Sequence, residues 1–100
     1  MRRGELWTVI PPDHPKPRPA VILSVDSWNA FAPDVLLVPL TSREGPSRPA
    51  VRAQGLRRPS YAKCGALSAL PKTRLKQRIG KVDAATLAAI SLEIRRLLAL

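Results

Sequence analysis

Metal and thiol chemistry are the first things this sequence has little means for. It holds one cysteine, Cys64, and one histidine, His14, which can form neither an internal disulfide nor a zinc site of Cys and His ligands. The carboxylates Glu5, Asp13, Asp26, Asp34, Glu44, Asp83 and Glu93 are scattered, without the clustered spacing of a hard-cation site. The few glycines include no phosphate-cradling loop, and there is no Gly-x-Ser-x-Gly elbow. No metal and no cofactor are therefore expected. No apolar run reaches the roughly 18 residues a membrane span requires. The apolar stretch after Met1–Glu5 stops at Pro11, too short for a secretory segment, so a cytoplasmic location without membrane partners is expected. Aromatics are also scarce: Trp7, Trp28, Phe31 and Tyr61 are the full set, leaving the core to Val, Ile, Leu and Ala.

Positive charge is what the chain has in excess. Seventeen Lys and Arg against seven Asp and Glu leave a net charge of +10 on 100 residues. Such an excess repels itself in the compact state, and the simplest compensation is a polyanion whose phosphates release counterions on binding. The blander reading is a basic protein kept soluble by its charge. An anionic membrane fits less well, because the cations are not massed on one amphipathic helix.

The length suits a single domain spanning residues 1–100. Residues 5–10 read as a first strand ending at Pro11-Pro12. Residues 11–19, with five prolines, read as a stiff connector of polyproline character; an SH3-ligand reading is weaker. Residues 20–24 form a continuous apolar strand, and 26–34 a long turn. Residues 35–41 form a third strand, in which Pro39 predicts an edge position or a bulge. A turn at 43–49, a short strand at 50–53 and a basic turn at Arg57-Arg58-Pro59 follow. One or two strands lie within 61–70, broken around Gly65, with a last strand at 77–81. Asp83 reads as the N-cap of a terminal helix whose apolar face is Leu87, Ile90, Ile94, Leu97 and Leu98. The fold class is mainly β with a C-terminal helix.

An enzyme with this inventory works with Arg, Lys, Ser, Thr and His14. A Cys64–His14 nucleophilic pair is conceivable, although a half-buried structural thiol is the plainer reading. RNA suits the inventory well, because its 2′-hydroxyl is a built-in nucleophile. The protein then only aligns the strand and stabilises charge on the phosphorane, work a guanidinium and a hydroxyl can do. Composition permits this reaction without selecting it.

The segments Arg3-Gly4-Glu5-Leu6-Trp7, Arg18-Pro19-Ala20-Val21-Ile22-Leu23-Ser24, Trp28-Asn29, Val38-Pro39-Leu40-Thr41-Ser42 and Ser60-Tyr61-Ala62 follow one another in the order and approximate spacing of MazF/PemK toxins. Arg74-Leu75 and Arg78-Ile79-Gly80 before a terminal helix are also similar, so the chain resembles that family along nearly its whole length. The resemblance implies an SH3-like barrel of the CcdB/MazF/PemK type and a homodimer. It also implies sequence-specific cleavage of single-stranded RNA to a 2′,3′-cyclic phosphate and a 5′-hydroxyl, and an acidic MazE-like antitoxin. The implied catalytic pair falls on Arg18 and Thr41, with Ser42 and His14 as candidates for support. Lys16, Trp28, Asn29, Arg43 and Lys63 are the candidate RNA contacts. A guanidinium stays protonated in proteins, which makes Arg18 a charge clamp and Thr41 a positioning donor and leaves the proton acceptor unassigned. For each, a surface arginine or a hydroxyl that bonds its own turn is the competing reading.

Two departures stand out. The connector is shortened to Pro-Pro-Asp-His-Pro-Lys-Pro, and His14 either replaces a polar group of the longer family loop or is simply solvated. Where some relatives read Arg-Cys-Asp, this chain reads Lys63-Cys64-Gly65, so a carboxylate is missing. Two other functions stay open at this point: a non-enzymatic gyrase poison of the CcdB kind, and a catalytically inactive RNA-binding module.

Overall fold

The β-branched and apolar runs pair as antiparallel strands, seen in a computed structural model that describes residues 1–100. The strands are β1 (Glu5–Val9), β2 (Arg18–Ile22), β3 (Asp34–Thr41), β4 (Ala50–Val51), β5 (Ser60–Ala62), β6 (Ser68–Pro71) and β7 (Leu75–Lys81). Helix α1 (Asp26–Phe31) joins β2 to β3, and α2 (Ala84–Leu97) closes the chain. The sheet runs β4-β5-β3-β2-β1-β7, with β6 on the first half of β3. It curls until its ends meet at a bridge between Ala53 and Val82. Two glycines allow that meeting. A Cβ on Gly80 would lie 2.2 Å from the Gln54 carbonyl oxygen, and one on Gly55 the same distance from that of Ile79.

Side-chain alternation divides the interior in two. Leu6, Val21, Val38, Leu40, Cys64 and Ile90 build the part beneath α2. Val9, Ala20, Ile22, Val35, Leu37, Leu70 and Leu75 build the part on the other face, which leads to the site described below.

Asp83 caps α2 by accepting a hydrogen bond from the Thr86 N–H at 2.7 Å. The Thr86 side-chain and backbone contacts hold the Asp83 carboxyl below its ordinary pKa. The face expected on this helix is covered only in part. Ile90 is fully buried, but Leu97 and Leu98 are 42% and 55% exposed.

Three expectations are corrected. The long turn at 26–34 contains α1, started by Asp26 in its first turn and stopped at the extended Ala32 before Pro33. Pro39 is neither at an edge nor in a bulge: β3 is central, between β2 on one side and β6 and β5 on the other. A residue's N–H and C=O point toward the same neighbour, and the Pro39 carbonyl accepts from the Lys63 N–H at 2.9 Å. The missing donor therefore falls where β3 exchanges β6 for β5. The proline-rich connector starts as a turn rather than an extended helix, with the His14 N–H donating to the Pro11 carbonyl at 3.3 Å.

Candidate functional site

Strand register brings the expected pair together. Ala20 faces Pro39 and Val21 faces Val38 across β2 and β3. Extending that register by two residues, within both strands, sets Arg18 opposite Thr41. Opposed residues of an antiparallel pair have Cβ atoms about 5 Å apart. Both belong to the face that carries Ala20 and Leu37, at its open end.

Two hollows adjoin this pair. The first, of about 490 Å³, has Val9, Leu37 and Leu70 among its apolar walls, with Asp13, His14, Lys63 and Ser68 supplying polar groups. The second, of about 730 Å³, is lined by Thr8, Ser42, Arg43, Arg57, Arg58 and Ser60 among others, with no carboxylate. Arg18, Leu40 and Thr41 line both, forming the saddle between them.

The hydrogen bonds leave reactive groups in hand. The Thr41 hydroxyl oxygen accepts the Arg43 N–H at 3.2 Å, so its own hydrogen is free for an oxygen in the groove. The local turn bond and a donor role are thus compatible. His14 sits between two donors, with the Lys16 N–H 3.2 Å from Nδ1 and the Arg18 guanidinium 3.0 Å from Nε2. A neutral imidazole has one acceptor nitrogen and one N–H, so only one of these contacts is a hydrogen bond at a time. When Nδ1 accepts from the turn, Nε2 carries the hydrogen and Arg18 faces a donor. A phosphate arriving at the saddle meets a guanidinium with little holding it back.

Of the other expected site residues, Ser42 and Arg43 line the second hollow and Lys63 the first. Lys16 is exposed and lines neither, contributing its backbone N–H to His14. Asn29 is corrected to a structural residue. It is 3% exposed, its Oδ1 accepts from the Ser24 hydroxyl, and its Nδ2 donates to the Ser24 carbonyl at 2.8 Å. Trp28 is on the same short helix, at the opposite end of the β2–β3 pair from Arg18 and Thr41, and donates through Nε1 to the Asp34 carbonyl at 3.1 Å. Neither lines a hollow.

Sequence reasoning missed Arg57 and Arg58 as groove residues. Their adjacency was visible, but only the pairing of β4 with β5 turns that loop toward the saddle. Cys64 is more deeply placed than expected, 2% exposed beneath α2 beside Ile94 and Leu97. Burial pushes its thiol up to about 11, so it is no nucleophile, and it is absent from the hollow that holds His14. No three of the His, Cys, Asp and Glu side chains gather as a metal-binding group, and no helix is long and apolar enough to cross a membrane.

A family model for PemK-like, MazF-like toxins of type II toxin–antitoxin systems matches residues 2–98. An endoribonuclease from a mycobacterial species, solved with its cognate antitoxin, superposes with a TM-score of 0.87 at 25% identity, covering 100% of this chain and 96% of that one. The Mycobacterium tuberculosis toxin MazF-mt6 gives 0.83 at 23% identity, covering 98% of each chain. MazF of the Deinococcus radiodurans MazE–MazF complex gives 0.85 at 21%, covering 100% and 96%. The latter two likenesses bear on the fold alone.

Proposed function

The chain belongs to the PemK-like, MazF-like toxins of type II toxin–antitoxin systems, and from that premise we propose that it is an endoribonuclease cutting single-stranded RNA at the saddle between the two hollows. The mycobacterial relative of known structure is an endoribonuclease bound to its antitoxin, and the same chemistry suits the groups present here. The observation that carries the reading is the opposition of Arg18 and Thr41 at one point of a cationic groove.

The RNA lies with a phosphate on the saddle and its neighbouring nucleotides in the hollows. The 2′-hydroxyl attacks the adjacent phosphorus as its proton passes to solvent, and the P–O5′ bond breaks as the 5′-oxygen takes a proton from solvent, giving a 2′,3′-cyclic phosphate and a 5′-hydroxyl. Arg18 lays its fork on the nonbridging oxygens as charge accumulates there, and the Thr41 hydroxyl donates to one of them. The Nε2–H tautomer of His14 offers a further donor beside Arg18, with Ser42 at the mouth of the second hollow. Arg43, Arg57 and Arg58 follow the phosphates onward, and Lys63 serves the first hollow. None of these steps needs a metal ion.

The same surface suits an acidic antitoxin segment laid along the groove. A homodimer would cover the apolar end of α2, and the single domain would act in the cytoplasm. The family assignment does not favour a CcdB-like gyrase poison.

Incubation of pure protein with a long single-stranded RNA in EDTA, followed by mass spectrometry of the ends, tests the reading. Cyclic-phosphate and 5′-hydroxyl ends are expected. RNA bound but uncut would leave the inactive-module reading, and neither binding nor cutting would leave the gyrase poison. Binding should also weaken steeply with salt, log affinity falling by about 0.7 per phosphate contact for each decade of salt. Arg57→Ala and Arg58→Ala should each flatten that slope by about 0.7 in a salt titration; unchanged slopes would take these arginines out of the groove.

A further inference from the structure

The two hollows differ in the charges they carry. The second is lined by four arginines, Arg18 among them, and no acid, whereas the first holds Asp13, the only carboxylate along the groove. Asp13 is exposed and makes no hydrogen bond or ion pair with its own chain. A free carboxylate beside a phosphate track repels the backbone the track attracts, even with Arg18 and Lys63 on the same lining. The first hollow discriminates in favour of a ligand edge that donates hydrogen bonds. Its remaining lining agrees, with half-buried Pro11, Pro39 and Ala66 as the apolar surface for a flat ring and, besides Arg18 on the saddle, an exposed Lys63 that only donates.

We propose that the first hollow is a guanine-reading subsite, with Asp13 accepting from the base's N1–H and N2 amino group and Lys63 donating to its O6 or N7. This rests on the endoribonuclease reading and specifies one base of its target. Guanine is the base whose Watson–Crick edge sets two donors side by side, matching both carboxylate oxygens, with acceptors next to them for an ammonium. Cytosine and adenine each offer a carboxylate a single amino group, and uracil a single imide N–H. The connector supports such reading. Asp13 lies in a turn between Pro12 and Pro15, whose rings restrict the backbone before any ligand arrives.

The probes are short 2′-fluoro oligonucleotides of uracil carrying one guanine, inosine, adenine or cytosine, labelled for fluorescence anisotropy. They lack the attacking hydroxyl, so binding is read whether or not the protein cuts RNA. A single unique base lets the strand slide until that base finds the hollow. The guanine probe should bind on the order of 10-fold or more tighter than all-uracil. Inosine, which lacks only the N2 amino group, should lose most of that gain. Asp13→Asn should bring the guanine-to-inosine ratio close to one and raise the adenine probe's relative affinity, because an amide presents one donor and one acceptor to adenine. Lys63→Met should lower the guanine and inosine probes together, since both bases keep O6 and N7. Equal binding of guanine and inosine by the unaltered protein, or a guanine preference surviving Asp13→Asn, overturns the assignment. Absence of RNA cleavage in EDTA overturns the endoribonuclease reading instead, and these binding ratios still decide what the hollow reads.

Discussion

Arg18→Ala should lower single-turnover RNA cleavage by about 10³-fold or more while leaving the melting temperature within about 2 °C of the parent. Loss of one neutral donor to a developing oxyanion costs roughly 10² to 10³ in rate, and a bidentate charged donor is stronger than a neutral one. The folded state gains little from this side chain. It is exposed and has His14 as its one hydrogen-bonding contact, facing a ring that also serves the Lys16 N–H. Arg18→Lys separates charge from geometry. It keeps the cation and loses the planar fork, so its rate should fall between those of the parent and the alanine variant. Stopped-flow cleavage of a fluorogenic RNA with excess protein, beside thermal melts, reads both quantities. Full activity in Arg18→Ala would remove this residue from the mechanism.

Gly80→Ala should destabilise the protein by about 3 kcal/mol or more, lowering its melting temperature by roughly 12 to 24 °C. The added methyl would be placed 2.2 Å from the Gln54 carbonyl oxygen, and backbone cannot swing aside as a long side chain can. Gly55 makes the reciprocal approach to Ile79 at a φ of +90°, so the crossing tolerates a Cβ on neither strand. Gly65→Ala is the matched control. Nothing lies within 4 Å of the Cβ it would add, and its effect should stay within about 0.5 kcal/mol. Because Gly55 and Ile79 also line the second hollow, Gly80→Ala should weaken RNA binding at temperatures where most of the protein is still folded. Equal melting of Gly80→Ala and Gly65→Ala would contradict the closure described at that crossing.

Local pattern carried much of the architecture. The strands at Glu5–Val9 and Asp34–Thr41 and the capped helix after Asp83 all lie where alternation, β-branching and capping chemistry put them, within a residue or two. Failures came where a residue's meaning depends on a partner distant in sequence. Pro39 is tolerated in a central strand because β3 changes neighbours there, which no window around Pro39 reveals. Asn29 next to Trp28 in a polar stretch reads like a loop contact, and only the return of the chain to Ser24 shows that its amide is spent internally. The site divides in the same way. Arg18 and Thr41 were reachable through the family resemblance, and the β2–β3 register supplies the physical reason they meet. Arg57, Arg58 and the isolation of Asp13 became visible only once the β5 side of the sheet and the proline turn were folded against the saddle.

A double-mutant cycle on Arg18 and Thr41, read in single-turnover cleavage of one RNA in EDTA, is the most direct test of the account. Thr41→Ala alone should slow the reaction on the order of 10²-fold. If both side chains act on one phosphate, the double variant should be only slightly slower than Arg18→Ala, because the hydroxyl has little left to assist once the clamp is gone. Losses that multiply in full would mean the two residues act independently, and a single cleavage saddle would then be the wrong description.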